Sequence, residues 1–180
     1  MQYGGTVPAI PCVVSGLLSP DAGSVTCTTS VPGTLAPGNN VTTPVVSPAS
    51  PTDYAMTLVN GTLTVRYVQN NCFASPIYSS QPPTKSSQNL GSNLPIKCSL
   101  LDANGNAVTN ASGNLQVVDM GTSGSGPGTV VFSLANAFQQ QQSKNYSYGF
   151  DTSILTSGHF YIVHAFWNDG STTTGWFYVK

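Results

Sequence analysis

HFYIVHAFW (159–167), NDG (168–170) and TTGWFYVK (173–180) read as two β-strands joined by a tight turn. Asn-Asp-Gly supplies residues that tolerate the left-handed backbone of such turns, and β-branched and aromatic residues fill both flanks. Side chains alternate between the two faces of a strand. Phe160, Ile162, His164 and Phe166 therefore share one face, and His159, Tyr161, Val163, Ala165 and Trp167 share the other. On the second strand Trp176 and Tyr178 lie together. Both faces of the first strand are apolar, which fits either a central strand covered on both sides or a strand with one face in a core and the other forming an exposed aromatic strip. Tyr161, Trp167, Trp176 and Tyr178 are the interface candidates on that strip.

Upstream, the same signals recur at intervals that suit a sandwich. DYAMTLVNGTLTVRYV (53–68) alternates Tyr54, Met56, Leu58 with Leu63, Val65, Tyr67 around Asn60-Gly61, which predicts a second hairpin. GTVPAIPCVVSG (5–16) reads as a strand kept near an edge by its prolines, and SVTCTTSV (24–31) as another. Residues 32–51 alternate turns with short strands such as VTTPVV. Residues 69–92 read as a linker and entry strand anchored by Cys72, Phe73, Ile77 and Tyr78. Strands are also expected at PIKCSLL (95–101), Asn114 to Asp119 and TVVFSLA (129–135), while the glutamine run 139–142 is expected in a loop. Thirteen Pro and 18 Gly leave no amphipathic helix of adequate length, so the chain is all-β, and 180 residues suffice for two modules.

Charge sets the limits on function. Only 6% of residues are Asp, Glu, Lys or Arg, every acid is Asp, and the net charge is −1. An ordinary domain carries about 25%. Such a chain offers no basic field to nucleic acid or to an anionic membrane, and no apolar run is long enough to span one. Low net charge favours association, so the expected partners are copies of the chain itself, with glycans as a further possibility. No cofactor is expected.

The four cysteines allow three connectivities. Two modules make the sequential pairing, Cys12 with Cys27 and Cys72 with Cys98, the natural one, although four buried free thiols would also fit. Disulfides imply an extracellular or cell-surface location. The N-terminal MQYGG lacks the basic and apolar regions of a signal peptide, so the expectation is a mature or clipped form, or an export signal that lies outside this sequence.

A search for chemistry finds little. His159 and His164 are separated by five residues, hence on opposite strand faces, and cannot chelate one metal; one is expected in the core and one at the surface. The six aspartates are scattered. Asp102, Asn104 and Asn106 place oxygens as a calcium loop begins, but no Glu exists to complete it, and a hairpin turn looks the same. Lys97 could enter an isopeptide crosslink, although a lysine reaching to solvent is commoner. Asn40, Asn60, Asn110 and Asn145 head Asn-x-Ser/Thr sequons, and residues 28–52 could equally carry O-linked sugar. The chain is expected not to be an enzyme.

Two stretches resemble modules of bacterial surface proteins. YGGTVPAIPCVVSGLLSPDAGSVTCTT with YAMTLVNGTLTV, within 1–68, resembles an MBG-type immunoglobulin-like repeat. PIKCSLLDANGNAV through GFDTSILTSGHFYIVHAFWNDGSTTTGWFYVK, within 69–180, is similar to the PxKF module, with Cys98 in place of its Phe. That replacement supports a Cys72–Cys98 bridge. The resemblances imply two tandem immunoglobulin-like β-sandwiches, with 69–92 entering the second, and no catalytic residue. They also imply a structural subunit of an extracellular bacterial filament or surface layer, with an adhesin or carbohydrate-binding module as the alternative. MBG-type repeats carry a further strand before the YGG signature, so either the chain is a trimmed fragment or, if 180 residues are the whole subunit, the first sandwich is expected to lack an edge strand. A neighbouring copy could then supply one by strand complementation.

Overall fold

The computed structural model describes residues 1–19, 21, 23–47, 53–83, 87–141 and 145–180. The chain is all-β, with three sheets and two disulfides, and divides into Met1–Arg66 and Tyr67–Lys180. Among the described residues no helix is long and apolar enough to cross a membrane.

The first unit holds one antiparallel sheet in the order β1 (Thr26–Ser30), β2 (Gly38–Ser47), β3 (Gly61–Val65). Alternation along β2 buries Asn40 and Thr42, which join Val25, Leu63 and Val65 in a small core. Asn40 closes the turn before β2: its Oδ1 accepts from the Ala36 amide at 3.0 Å and its Nδ2 donates to the Ala36 carbonyl at 2.8 Å.

Two expected strands are absent here. Residues 5–16 form no ladder, since Pro8 and Pro11 each remove a donor from so short a run. The hairpin at Asn60-Gly61 does not form either. Its turn needs positive φ at both central residues, and neither has it. Gly61 instead opens β3 opposite Thr42, where an added Cβ would lie 2.7 Å from Thr42 Oγ1. The long-range pairing with β2 overrides the local turn signal. Ile10–Ser15 and Ala55–Val59 line a cleft of about 570 Å³ against Cys27, Thr29, Thr42, Pro44 and Val46, which gives this unit its second, irregular layer. The Cys12–Cys27 disulfide ties that layer to β1.

The second unit is a sandwich of two four-stranded antiparallel sheets. One runs β11 (Thr172–Tyr178), β10 (Phe160–Trp167), β6 (Gly113–Asp119), β7 (Thr129–Leu134). The other runs β4 (Val68–Asn70), β5 (Asn93–Leu101), β9 (Tyr146–Asp151), β8 (Gln139–Gln140). Gln139 and Gln140 thus sit in a ladder rather than the expected loop; residues 142–144 of that stretch lie outside the described residues. Leu94, Ile96, Cys98 and Leu100 of β5 face Leu115 and Val117 of β6 and Tyr161, Val163 and Ala165 of β10 in the core. Each large side chain so buried contributes roughly 1.5–3 kcal/mol.

Described residues of segment 69–92 cover the open edge of β11. Tyr78 exchanges backbone bonds with Trp176 at 2.8 and 2.7 Å, and the Gln88 amide donates to the Tyr178 carbonyl at 2.7 Å. Ile77 is buried beside Gly175, and the Cys72–Cys98 disulfide fixes the start of the segment to β5. A Cβ at Gly175 would collide with Ile77 Cγ2 and lie 2.7 Å from Phe73 Cδ2. Gly175→Ala is therefore expected to destabilise the unit by about 1–3 kcal/mol through overpacking, read as a lower midpoint in denaturant with unchanged m-value.

Candidate functional site

The sheet β11-β10-β6-β7 turns one face to the core and one outward, and strand register decides which residues go where. Tyr161 and Trp167 go inward, 1% and 3% exposed. They are not part of an outward strip, and the reason lies in the opposite sheet. Trp167 packs edge-on against Tyr146 of β9 at 5.6 Å between ring centres and against Phe138 at 4.9 Å; its Nε1 donates to Thr173 Oγ1 at 2.9 Å. Tyr161 stacks on Phe177 at 5.3 Å, and its hydroxyl donates to the Thr156 carbonyl at 3.1 Å while accepting from the Thr156 amide at 2.8 Å. Burial pushes the Tyr146 and Tyr161 hydroxyls above their ordinary pKa. An aromatic ring with a polar handle satisfies the core on both counts.

Trp176 and Tyr178 do point outward, half-buried. The register extends them into a row across all four strands: Trp176 opposite Ile162, Ile162 opposite Val118, Val118 opposite Val130. Val130 is 53% exposed. The next row is polar, with Thr174 opposite His164 and His164 opposite Gln116. His164 Nδ1 lies 3.0 Å from Thr174 Oγ1, and burial lowers the imidazole pKa. Phe166, 38% exposed, and the Phe160–Tyr178 pair, 4.9 Å between ring centres, flank these rows. Sequence reasoning passed over Ile162, Val118, Val130 and Phe166, because alternation alone does not say which of two apolar faces is the outer one.

The remaining candidates fall into structural roles. Asp102 Oδ1 accepts from the amides of Asn104 and Asn106, each at 2.8 Å, and Oδ2 accepts from Asn106 Nδ2 at 3.1 Å. These bonds hold the carboxyl below the usual carboxylate range and use the oxygens a calcium ion would need, so the segment is an Asx turn. Among the described residues no three His, Cys, Asp or Glu side chains gather as a metal centre requires. Neither histidine is in the core: His159 sits just before β10, its Nδ1 2.9 Å from Asp119 Oδ2, and Asp119 Oδ1 accepts from the Gly121 amide at 2.7 Å. Lys97 is exposed opposite Ser147, away from the core an isopeptide bond would require.

Of the sequon asparagines, Asn60 and Asn110 are exposed. Asn145 is half-buried and accepts from the Ser99 hydroxyl. Asn40 is buried with both amide atoms occupied by Ala36, and Thr42 of its sequon is buried too, so it is no glycan acceptor in the folded chain. Peptide mapping of protein purified from its source is expected to find Asn40 unmodified. Residues 48–50 and 51–52 of the proposed O-glycan stretch lie outside the described residues.

The sequence matches no known protein family and no curated protein. Among solved structures, the chain is similar to domains 4 and 5 of the S-layer protein SbsC, at 17% identity and a TM-score of 0.32, over 93% of this chain and 84% of that one. It is also similar to domains 4–9 of the surface layer protein SbsC, at 15% identity and a TM-score of 0.31, over 81% of this chain but 18% of that one. Likeness at this level carries no argument for a shared function.

An outward row of Trp, Ile and Val beside a row of hydroxyl, imidazole and amide groups suits contact with a neutral, partly apolar surface.

Proposed function

We propose that this chain is a non-catalytic structural subunit of an extracellular bacterial filament or surface layer, assembled from copies of itself. The observation that carries this reading is the outer face of the sheet β11-β10-β6-β7, where the uncharged row Trp176–Ile162–Val118–Val130 runs from one side of the sheet to the other. Water favours covering such a row, and a chain with net charge −1 offers little repulsion to a neighbour of its own kind. Two disulfides suit an oxidising exterior. The resemblances to an MBG-type repeat over 1–68 and a PxKF module over 69–180 support the same location. The groups that could do chemistry are occupied as structure: Asp102 in its turn, Asp119 with His159, and Asp151 accepting from the Ser153 amide.

Electron microscopy of the purified chain tests this reading. Ordered strings or sheets are expected, and monodisperse single particles at every concentration would sink it. An adhesin or carbohydrate-binding module is the second reading, favoured by the outward Trp176 and Tyr178 beside Thr174, His164 and Gln116. Ring faces with adjacent hydrogen-bonding groups can stack on and bond to sugars. For that reading a glycan array should give hits that Trp176→Ala abolishes; an empty array dismisses it.

A further inference from the structure

The sheet edges of the second unit are guarded, with one exception. The outer edge of β11 is bonded to Tyr78 and Gln88, β4 has three residues and β8 has two. Short or covered edges are how sheets avoid pairing with other chains. β7 is different. It is six residues long, TVVFSL, closes the order β11-β10-β6-β7, and has no strand on its far side among the described residues. It carries no charge and no proline. Val131 and Leu134 are each 39% exposed, and Val130 more so. Of the usual guards it has a single bulge, at Val131, between the pairs Val117–Phe132 and Val118–Val130.

We infer that β7 is the site at which two copies of this chain join, edge to edge and antiparallel, into one continuous eight-stranded sheet. This rests on the self-assembly reading above and names its contact. Three features select a second copy over a foreign strand. Antiparallel pairing of a strand with itself is self-complementary about a two-fold axis, so one sequence satisfies both sides. Paired along all six residues, Thr129 falls opposite Leu134, Val130 opposite Ser133 and Val131 opposite Phe132 of the neighbour with no like-charge repulsion, and the strand carries no charge to steer a different partner. The two-fold axis stands perpendicular to the sheet, so both outer faces lie on the same side. The rows Trp176–Ile162–Val118–Val130 of the two copies then face the same way on one side of the joined sheet.

The test uses the full chain in sedimentation velocity over a concentration series, with Val130→Lys/Val131→Lys as the variant. Both positions are exposed, so the fold should survive; Ser133→Lys, at an exposed polar position of the same strand, serves if it does not. The wild type is expected to move between monomer and dimer with concentration, and the lysine variants to weaken dimerisation by at least about tenfold. Amides of Thr129–Leu134 are expected to exchange with deuterium more slowly at high concentration than at low. Association that persists in both variants, with exchange in β7 independent of concentration, overturns the inference and leaves the self-assembly reading standing. A wild type monomeric in sedimentation and single in micrographs removes both. A wild type monomeric when pure, yet assembled in surface extracts, gives the β7 edge to a foreign strand and also overturns the pairing of copies.

Discussion

Asp169→Ala is expected to destabilise the second unit by about 3 kcal/mol. Asp169 looks in sequence like an ordinary turn residue, yet it is 1% exposed. Its Oδ1 accepts from the Ser171 amide at 2.8 Å and the Ser171 hydroxyl at 2.6 Å, and Oδ2 accepts from the Tyr67 amide at 2.6 Å. Bonds to a charged acceptor are the strong ones. Deleting the carboxylate leaves the Tyr67 amide without this acceptor in a buried site, at a cost of about 1–3 kcal/mol for that donor, with Ser171 adding to it. The damage should spread, because Gln69 beside it accepts from Thr173 at 2.8 Å and donates to Ser171 at 3.1 Å, and Thr173 in turn anchors Trp167. Asp169→Asn should cost less, since one oxygen still accepts. Urea unfolding followed by tryptophan fluorescence reads both, and a loss below about 1 kcal/mol for the alanine variant would contradict the assignment.

The second large effect is expected from Cys72→Ala/Cys98→Ala. The bridge spans 26 residues of sequence. A closed loop of that length restricts the unfolded chain by about 3.5 kcal/mol on the chain-entropy account. Cys98 is also fully buried, so its loss opens a small void among Leu94, Ile96 and Leu100. Small domains have about 5–15 kcal/mol in total, so the double variant should melt well below the wild type, and a reductant should reproduce the shift. Cys12→Ala/Cys27→Ala removes a shorter loop, with a separation of 15 residues, and should cost about 3 kcal/mol. A fall of the same size in reductant-treated wild type and in the untreated double variant, read by the tryptophans of the second unit, confirms that the bridge, rather than the thiol, supplies the stability.

What the sequence made legible was local. Asn168-Asp169-Gly170 between two apolar alternations specified its hairpin, because turn and register lie within a few residues of each other. The pairing Cys12 with Cys27 and Cys72 with Cys98 was the natural one for two modules, although the sequence alone left three connectivities open. Asn60-Gly61 misled for a reason in the same physics. A two-residue turn signal is a preference of the isolated chain, and here β3 takes its partner from β2, some twenty residues upstream. The orientation of β10 was open because Phe160, Ile162 and Phe166 are as apolar as Tyr161, Val163 and Trp167. Contacts with Tyr146 and Phe138, distant in sequence, decide it. The exposure of β7 was invisible for the same reason, since TVVFSL reads alike at an edge or in the middle of a sheet.

The clamp at Asp169 also determines how the second unit meets tension. Tyr67, where the chain enters, is held at the turn end of β10 and β11, whereas Lys180 leaves beyond the far end of β11, its amide bonded to the Gln88 carbonyl at 3.0 Å. A pull between Tyr67 and Lys180 therefore acts along the length of β11. Its bonds to β10 on one side and to Tyr78 and Gln88 on the other must slide together in shear, whereas a pull across the strands would unzip them one pair at a time. Under such a pull the hairpin would act as a mechanical latch.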